Sequence, residues 1–351
     1  MKIDIHHHFL PRSFLDSLEQ YLPTGLHAVR EGEHITMVRT ADNYAYPKVH
    51  VRHWSDPATQ IEMMDAAGVD HAIVSTACFQ DWMTLEAARI INDGTAELVR
   101  TYPTRFSGMI SAPPDGGEAM VEEIRRARAL GLCAVNMTTT HGDRYPDHPD
   151  FRLLFATAAE MDLPVFIHPS WIGPVTTYMD KWNTERTLGK PFDMTLGIAR
   201  MLFSGEFERH ANLRMVWGHL GGNLAMMRHR LFASQPGYLT APGKDYEALL
   251  RRNFVDTAPG MWQTSEEIGY VGRKLGADQL MLGSDYPLSV DPSTIMKHAV
   301  AHVSDSDLSE EHKQKIFSRN AVKVFDLKRL EEQAGGGAGR LSVAMCRAGC
   351  C

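Results

Sequence analysis

From about Asp56 onward, short apolar runs rich in β-branched residues alternate with longer amphipathic segments. That rhythm predicts the strands of a parallel sheet separated by helices. Eight runs read as strands: residues 2–6, 71–76, 106–112, 133–137, 164–168, 214–218, 254–257 and 280–283. Eight parallel strands followed by helices close on themselves, so the expected fold is α/β, a (β/α)8 TIM barrel. The helices follow from 3.6-residue periodicity, as in Ile61, Met64 and Ala67 before Gly68, or Phe155, Ala158, Ala159 and Met161 before Pro164.

Two stretches break the rhythm. Residues 9–53 read as a long insertion after the first strand, near the mouth of the barrel, where long loops serve binding. Residues 170–191, after the fifth strand, carry Trp171, Tyr178 and Trp182 and read as a pocket wall or lid, with Trp171 the candidate substrate contact. Residues 1–330 are expected to form one domain. Residues 331–351, which include Gly335-Gly336-Gly337, lack periodicity and read as a disordered tail.

Composition narrows the partners. A net charge of −7 without a clustered basic surface argues against nucleic acid and anionic membranes. The cysteines Cys78, Cys133, Cys346, Cys350 and Cys351 are odd in number and unpaired in spacing, which fits a reducing compartment. The first residues lead straight into a strand pattern without a long apolar stretch, so a cytoplasmic protein is expected.

In such a barrel the chemistry sits at the C-terminal ends of the strands. The first strand ends in His6-His7-His8, the fifth in His168, the sixth in His219 after Gly218, and the eighth in Asp285 within Gly283-Ser284-Asp285-Tyr286-Pro287. His6 and His8, two apart on an extended strand, face one side while His7 faces the other. The run follows Ile3-Asp4-Ile5 and so belongs to the fold rather than to a purification tag. Singly, His168 reads as a satisfied core histidine and Asp285 as a turn cap. As a set, His6, His8, His168 and Asp285 match the ligands of a mononuclear zinc-type site, with zinc the first choice and manganese the second. His219 lies in Trp217-Gly218-His219-Leu220-Gly221-Gly222, where glycines permit close approach, and is assigned as the general base.

The motifs Ile3-Asp4-Ile5-His6-His7-His8-Phe9-Leu10-Pro11, Phe166-Ile167-His168-Pro169, Gly218-His219-Leu220-Gly221-Gly222 and Gly283-Ser284-Asp285-Tyr286-Pro287 resemble the amidohydrolase superfamily. The resemblance is to its decarboxylase-rich, aminocarboxymuconate-semialdehyde decarboxylase-like branch. It implies the same ligand set, with His219 as the catalytic histidine. It also implies an arginine before a Trp-Asp-Pro element that holds a substrate carboxylate; Arg52 stands there, one residue out of the family's spacing. A second arginine, supplied by the neighbouring subunit of a homodimer, falls on Arg230. Where binuclear members carry a bridging lysine after the fourth strand, Asn136 and Met137 stand, which favours one metal per chain.

The implied reaction is non-oxidative decarboxylation of a small unsaturated or aromatic carboxylic acid, with metal-bound water and His219 as acid and base. The same constellation suits hydrolysis of an ester, lactone or amide. A non-catalytic metal- or ligand-binding barrel is the third reading, and His219 argues against it.

Overall fold

A computed structural model of the protein describes residues 1–41, 44–45, 48–171, 179, 181–182, 184–232, 245–260, 263–288 and 291–330. The expected tail, residues 331–351, and Tyr178 lie outside the described residues.

The eight expected strands form one parallel sheet: β1 (Ile3–His8), β2 (His71–Ser75), β3 (Phe106–Ser111), β4 (Ala134–Thr138), β5 (Val165–His168), β6 (Met215–Trp217), β7 (Asn253–Asp256) and β8 (Leu280–Met281). They pair in chain order, each with the next. The chain leaving β8 returns to β1 through Ile5 N–H to Leu282 O (2.9 Å), Asp285 N–H to His6 O (2.8 Å) and His8 N–H to Tyr286 O (2.8 Å). Those bonds close the (β/α)8 barrel, and they hold Asp285 beside the histidines of β1. Every residue of β1 is buried, as expected for a strand covered on both faces.

The barrel interior is filled by Ile3, Ile5, Ile73, Met109, Ala134, Phe166, Val216 and Met281, at least one residue from each of seven strands, with half-buried Phe254 from β7. Val322, Val324, Phe325 and Leu327, from the end of the described chain, join the same cluster. A larger apolar layer outside the strands packs the helices on the sheet, with Phe155, Ile198, Met201 and Ile268 among its members.

The insertion is more ordered than its irregular sequence pattern predicts. Strand His34–Arg39 pairs antiparallel with Leu26–Glu31, Tyr44–Ala45 and Val49–His50. Gly32, at φ +60, lies in the hairpin turn between the first two. Ile35 and Met37 point inward and pack with Phe14, Trp54, Phe79 and Trp171, so this small sheet sits on the barrel rather than beside it. Helix Pro57–Ala67 follows, with Asp56 accepting from Ala58 N–H (3.2 Å) and Thr59 N–H (3.3 Å) at its start and Gly68 at φ +67 at its end. Among the described residues no helix is long and apolar enough to cross a membrane.

Candidate metal centre

The three histidines of β1 divide as the strand geometry predicts. His7 turns away and stacks on Tyr286, with ring centroids 4.7 Å apart. His6 and His8 face inward, 4.9 Å apart, and each lies 5.0 Å from His168 at the end of β5. The His run lies inside β1 rather than past its end, and pairing with β2 is irregular between Asp4 and His7.

Asp285 is the common neighbour. Its Oδ1 lies 2.9 Å from His8 Nε2, 3.2 Å from His6 Nε2 and 3.6 Å from His168 Nε2, and its Oδ2 lies 3.5 Å from His219 Nε2. Residue 285 has φ +68, a conformation that turns its carboxylate into the barrel mouth at a backbone cost of order 1 kcal/mol.

The three inward histidines have their outer nitrogens held by oxygen. His6 Nδ1 meets Asp256 Oδ2 at 2.5 Å, His8 Nδ1 meets Ser75 Oγ at 2.9 Å, and His168 Nδ1 meets the Pro169 carbonyl at 2.7 Å. A proton fixed on Nδ1 leaves the Nε2 lone pair facing the centre, the arrangement a metal ligand requires. Trp54 stacks parallel to His8 at 5.7 Å, and the Gln60 amide donates to the His8 carbonyl at 3.1 Å. The Trp-Ser-Asp-Pro element therefore braces the first strand.

His219 is positioned differently. Its backbone and that of Leu220 are left-handed, at φ +51 and +55, and its N–H donates to Asp256 Oδ1 at 2.9 Å. Its side chain keeps 11% exposure and faces a cavity of about 460 Å³ lined also by Arg186, Asn223, Met226, Gln263 and Tyr270. The glycines around it are needed for packing. A Cβ at Gly218 would stand 3.1 Å from the His6 ring, and one at Gly222 only 2.1 Å from the Pro191 carbonyl.

The donor set fits a divalent cation. Nε2 of His6, His168 and His219 is buried without a hydrogen-bond partner, although each points at a carboxylate. Unsatisfied buried nitrogens cost about 1–3 kcal/mol each, and a bound cation removes that cost. One potential ligand atom from each of His6, His168, His219 and Asp285 falls within 4.8 Å of the others. Without a cation, burial favours neutral imidazole, pushing His8 down to about 4 and His168 well below its usual value. At His6 the same burial is outweighed by the Asp256 and Asp285 carboxylates, which push it up to about 10. Burial would raise Asp285, but its histidine partners, His168 first, hold it well below the usual carboxylate range.

The remaining sequence candidates are not members of this histidine–aspartate cluster. Arg52 is 60% exposed; its Nε donates to Thr59 Oγ1 at 2.7 Å and lies 3.8 Å from Asp56 Oδ2. Arg230 is exposed on helix Leu224–Phe232. Trp171 is buried beside Phe79 and Trp82 and does not line the cavity at His219, while Trp182 is 89% exposed. Sequence reasoning passed over Asp256 and Ser75, although both close a barrel strand, the same position that singled out His168.

An eight-stranded parallel barrel with imidazoles and a carboxylate gathered at its C-terminal rim defines a metal-binding barrel of the kind that supports catalysis. The amidohydrolase family model matches residues 3–327, and the chain belongs to that family. It is 25% identical to 2-amino-3-carboxymuconate-6-semialdehyde decarboxylase of Dictyostelium discoideum, over 93% of this chain and 92% of the relative. It is 26% identical to gamma-resorcylate decarboxylase of Rhizobium sp., over 77% of this chain and 86% of the relative. The fold also matches a crystal structure of 5-carboxyvanillate decarboxylase from Novosphingobium aromaticivorans with bound manganese, at a TM-score of 0.74 and 22% identity, covering 93% and 97% of the two chains.

Proposed function

We propose that this chain is a metal-dependent carboxy-lyase that removes the carboxylate of a small unsaturated or aromatic acid without oxidation. The observation that carries this reading is the place of His219, which touches Asp285 on one side and an open cavity on the other. The decarboxylase names of the relatives in both comparisons support it.

His6, His8, His168 and Asp285 would hold one divalent ion, whose contribution when bound is to polarise substrate oxygens and offset negative charge. Three imidazoles and a carboxylate suit zinc best, and manganese is the alternative carried by the 5-carboxyvanillate decarboxylase structure. His219 is kept outside the ligand set because its ring alone lines the cavity, while its three partners are locked by Ser75, Asp256 and the Pro169 carbonyl.

In the reaction, the bond to the carboxyl carbon breaks and its electron pair stays on the substrate carbon. That carbon takes a proton as carbon dioxide leaves. His219 Nε2, 3.5 Å from Asp285 Oδ2, would hold and deliver the proton. Arg52 would grip the carboxylate. Its Nε is anchored on Thr59, and among the described residues neither terminal nitrogen has a hydrogen-bond partner, which leaves the two-pronged face for a substrate. Trp171, in ring contact with Phe79, would form part of a substrate wall. Arg230, exposed on helix Leu224–Phe232, would reach a neighbour's site in a homodimer. The free, buried Cys133 thiol, pushed up to about 12 by burial, fits the cytoplasm.

The test is carbon dioxide release from a panel of hydroxybenzoates and carboxymuconates by the metal-loaded protein. Release from at least one acid is expected, and its absence across the panel beside turnover of esters or lactones overturns the reading.

A further inference from the structure

Asp256 closes β7 and is fully buried, and both of its oxygens are engaged. Oδ2 is spent on His6 Nδ1 at 2.5 Å, while Oδ1 accepts two backbone N–H groups, from His219 and from Ala258, each at 2.9 Å. One carboxylate thus binds a ligand on β1 and the loop that carries the acid–base histidine after β6. We infer that Asp256 is a positioning residue that fixes two things at once: the Nδ1–H tautomer of His6 and the pose of His219.

The first role follows from hydrogen-bond chemistry. A carboxylate only accepts, so the proton between it and His6 belongs to Nδ1, and Nε2 is left bare toward the centre. The second role follows from backbone conformation. His219 and Leu220 occupy left-handed φ in succession, without the freedom of glycine, and such conformations persist where the surroundings over-determine them. The Asp256 bond to His219 N–H supplies that constraint. Packing holds the carboxylate in place: a Cβ at Gly283 would lie 2.9 Å from both Asp256 Cβ and His6 Cβ, so the strand beside it has no room for a larger residue. The inference rests on the metal reading above, since a fixed His6 tautomer matters most to a bound cation.

Asp256→Asn separates the two roles. The amide oxygen can still accept from His219 and Ala258, but the amide nitrogen facing His6 is a donor. It forces the imidazole proton onto Nε2 and removes that nitrogen as a ligand. The experiment compares Zn2+ and Mn2+ affinity of wild type and Asp256→Asn by competition with a chelator, beside thermal melts and circular dichroism. We expect a melt close to wild type with affinity weaker by roughly ten- to hundredfold, the range for loss of a ligand's hydrogen-bond partner. Affinity within twofold of wild type overturns the inference. A wild-type protein that binds neither ion overturns the metal reading itself, a result visible in the same titration before any variant is compared. Should the variant fail to fold, 15N spectra of histidine-labelled, Zn2+-loaded wild type decide, with the His6 signals assigned by their loss in His6→Asn. A proton on Nδ1 of His6 supports the inference, and a proton on its Nε2 refutes it.

Discussion

His219 Nε2 approaches Asp285 Oδ2 at 3.5 Å, whereas His6, His8 and His168 face the other oxygen of the same carboxylate. On the function proposed above, one aspartate would separate a ligand side from a proton-transfer side.

His219→Ala should therefore keep its metal and lose turnover by about a hundredfold to ten-thousandfold, the usual contribution of a positioned acid or base. Metal analysis beside a rate measurement checks this. Loss of the metal together with activity would instead make His219 a ligand, as the compact grouping of His6, His168, His219 and Asp285 also permits.

Arg52→Lys should lower turnover by far more than a surface change, because an ammonium cannot reproduce the planar two-pronged contact with a carboxylate. Steady-state kinetics on the best acid substrate is the measurement. Unchanged kcat and KM would assign Arg52 to its exposed contacts with Thr59 and Asp56, pairings worth only about 0–1 kcal/mol.

Arg230 is the test of assembly. If it serves a neighbour's site, sedimentation should show a dimer, and Arg230→Ala should reduce activity without dissociating it. A fully active monomer at low concentration would contradict this.

Gly283→Ala places a methyl group against Asp256 and His6, in a gap that holds none. Overpacking of this kind costs about 1–3 kcal/mol, so denaturant unfolding should shift accordingly and metal affinity should fall with it. A variant as stable and as tight-binding as wild type would show that this part of the barrel yields more easily than the contacts imply.

The barrel was legible because β-branched runs and helical periodicity repeat locally, and each of the eight strands lies within two residues of its expected bounds. That His6, His8, His168, His219 and Asp285 would meet in space was legible for a related reason: strand ends converge in this fold whatever their separation in sequence. The small sheet of the insertion was harder to read. Alternation in His34–Arg39 and the turn at Gly32 do signal a hairpin, but two of its four strands have only two residues, too few to show a period. Asp256 lay at a strand end yet was overlooked, since a carboxylate that serves another side chain's tautomer has no spacing of its own in the sequence. The contacts of Trp54 and Trp171 depend on how the insertion folds back on the barrel, which no local pattern encodes.

Decarboxylation and hydrolysis differ in the bond that is broken. Acids labelled with 13C at the carboxyl carbon, supplied as hydroxybenzoates and carboxymuconates, should yield labelled carbon dioxide and the acid-free product with the metal-loaded protein. Removal of metal by a chelator should stop the release, and Zn2+ or Mn2+ should restore it. Rapid cleavage of ester or lactone substrates in the same preparation, with no labelled carbon dioxide from any acid and with Arg52 dispensable, would make the protein a hydrolase instead.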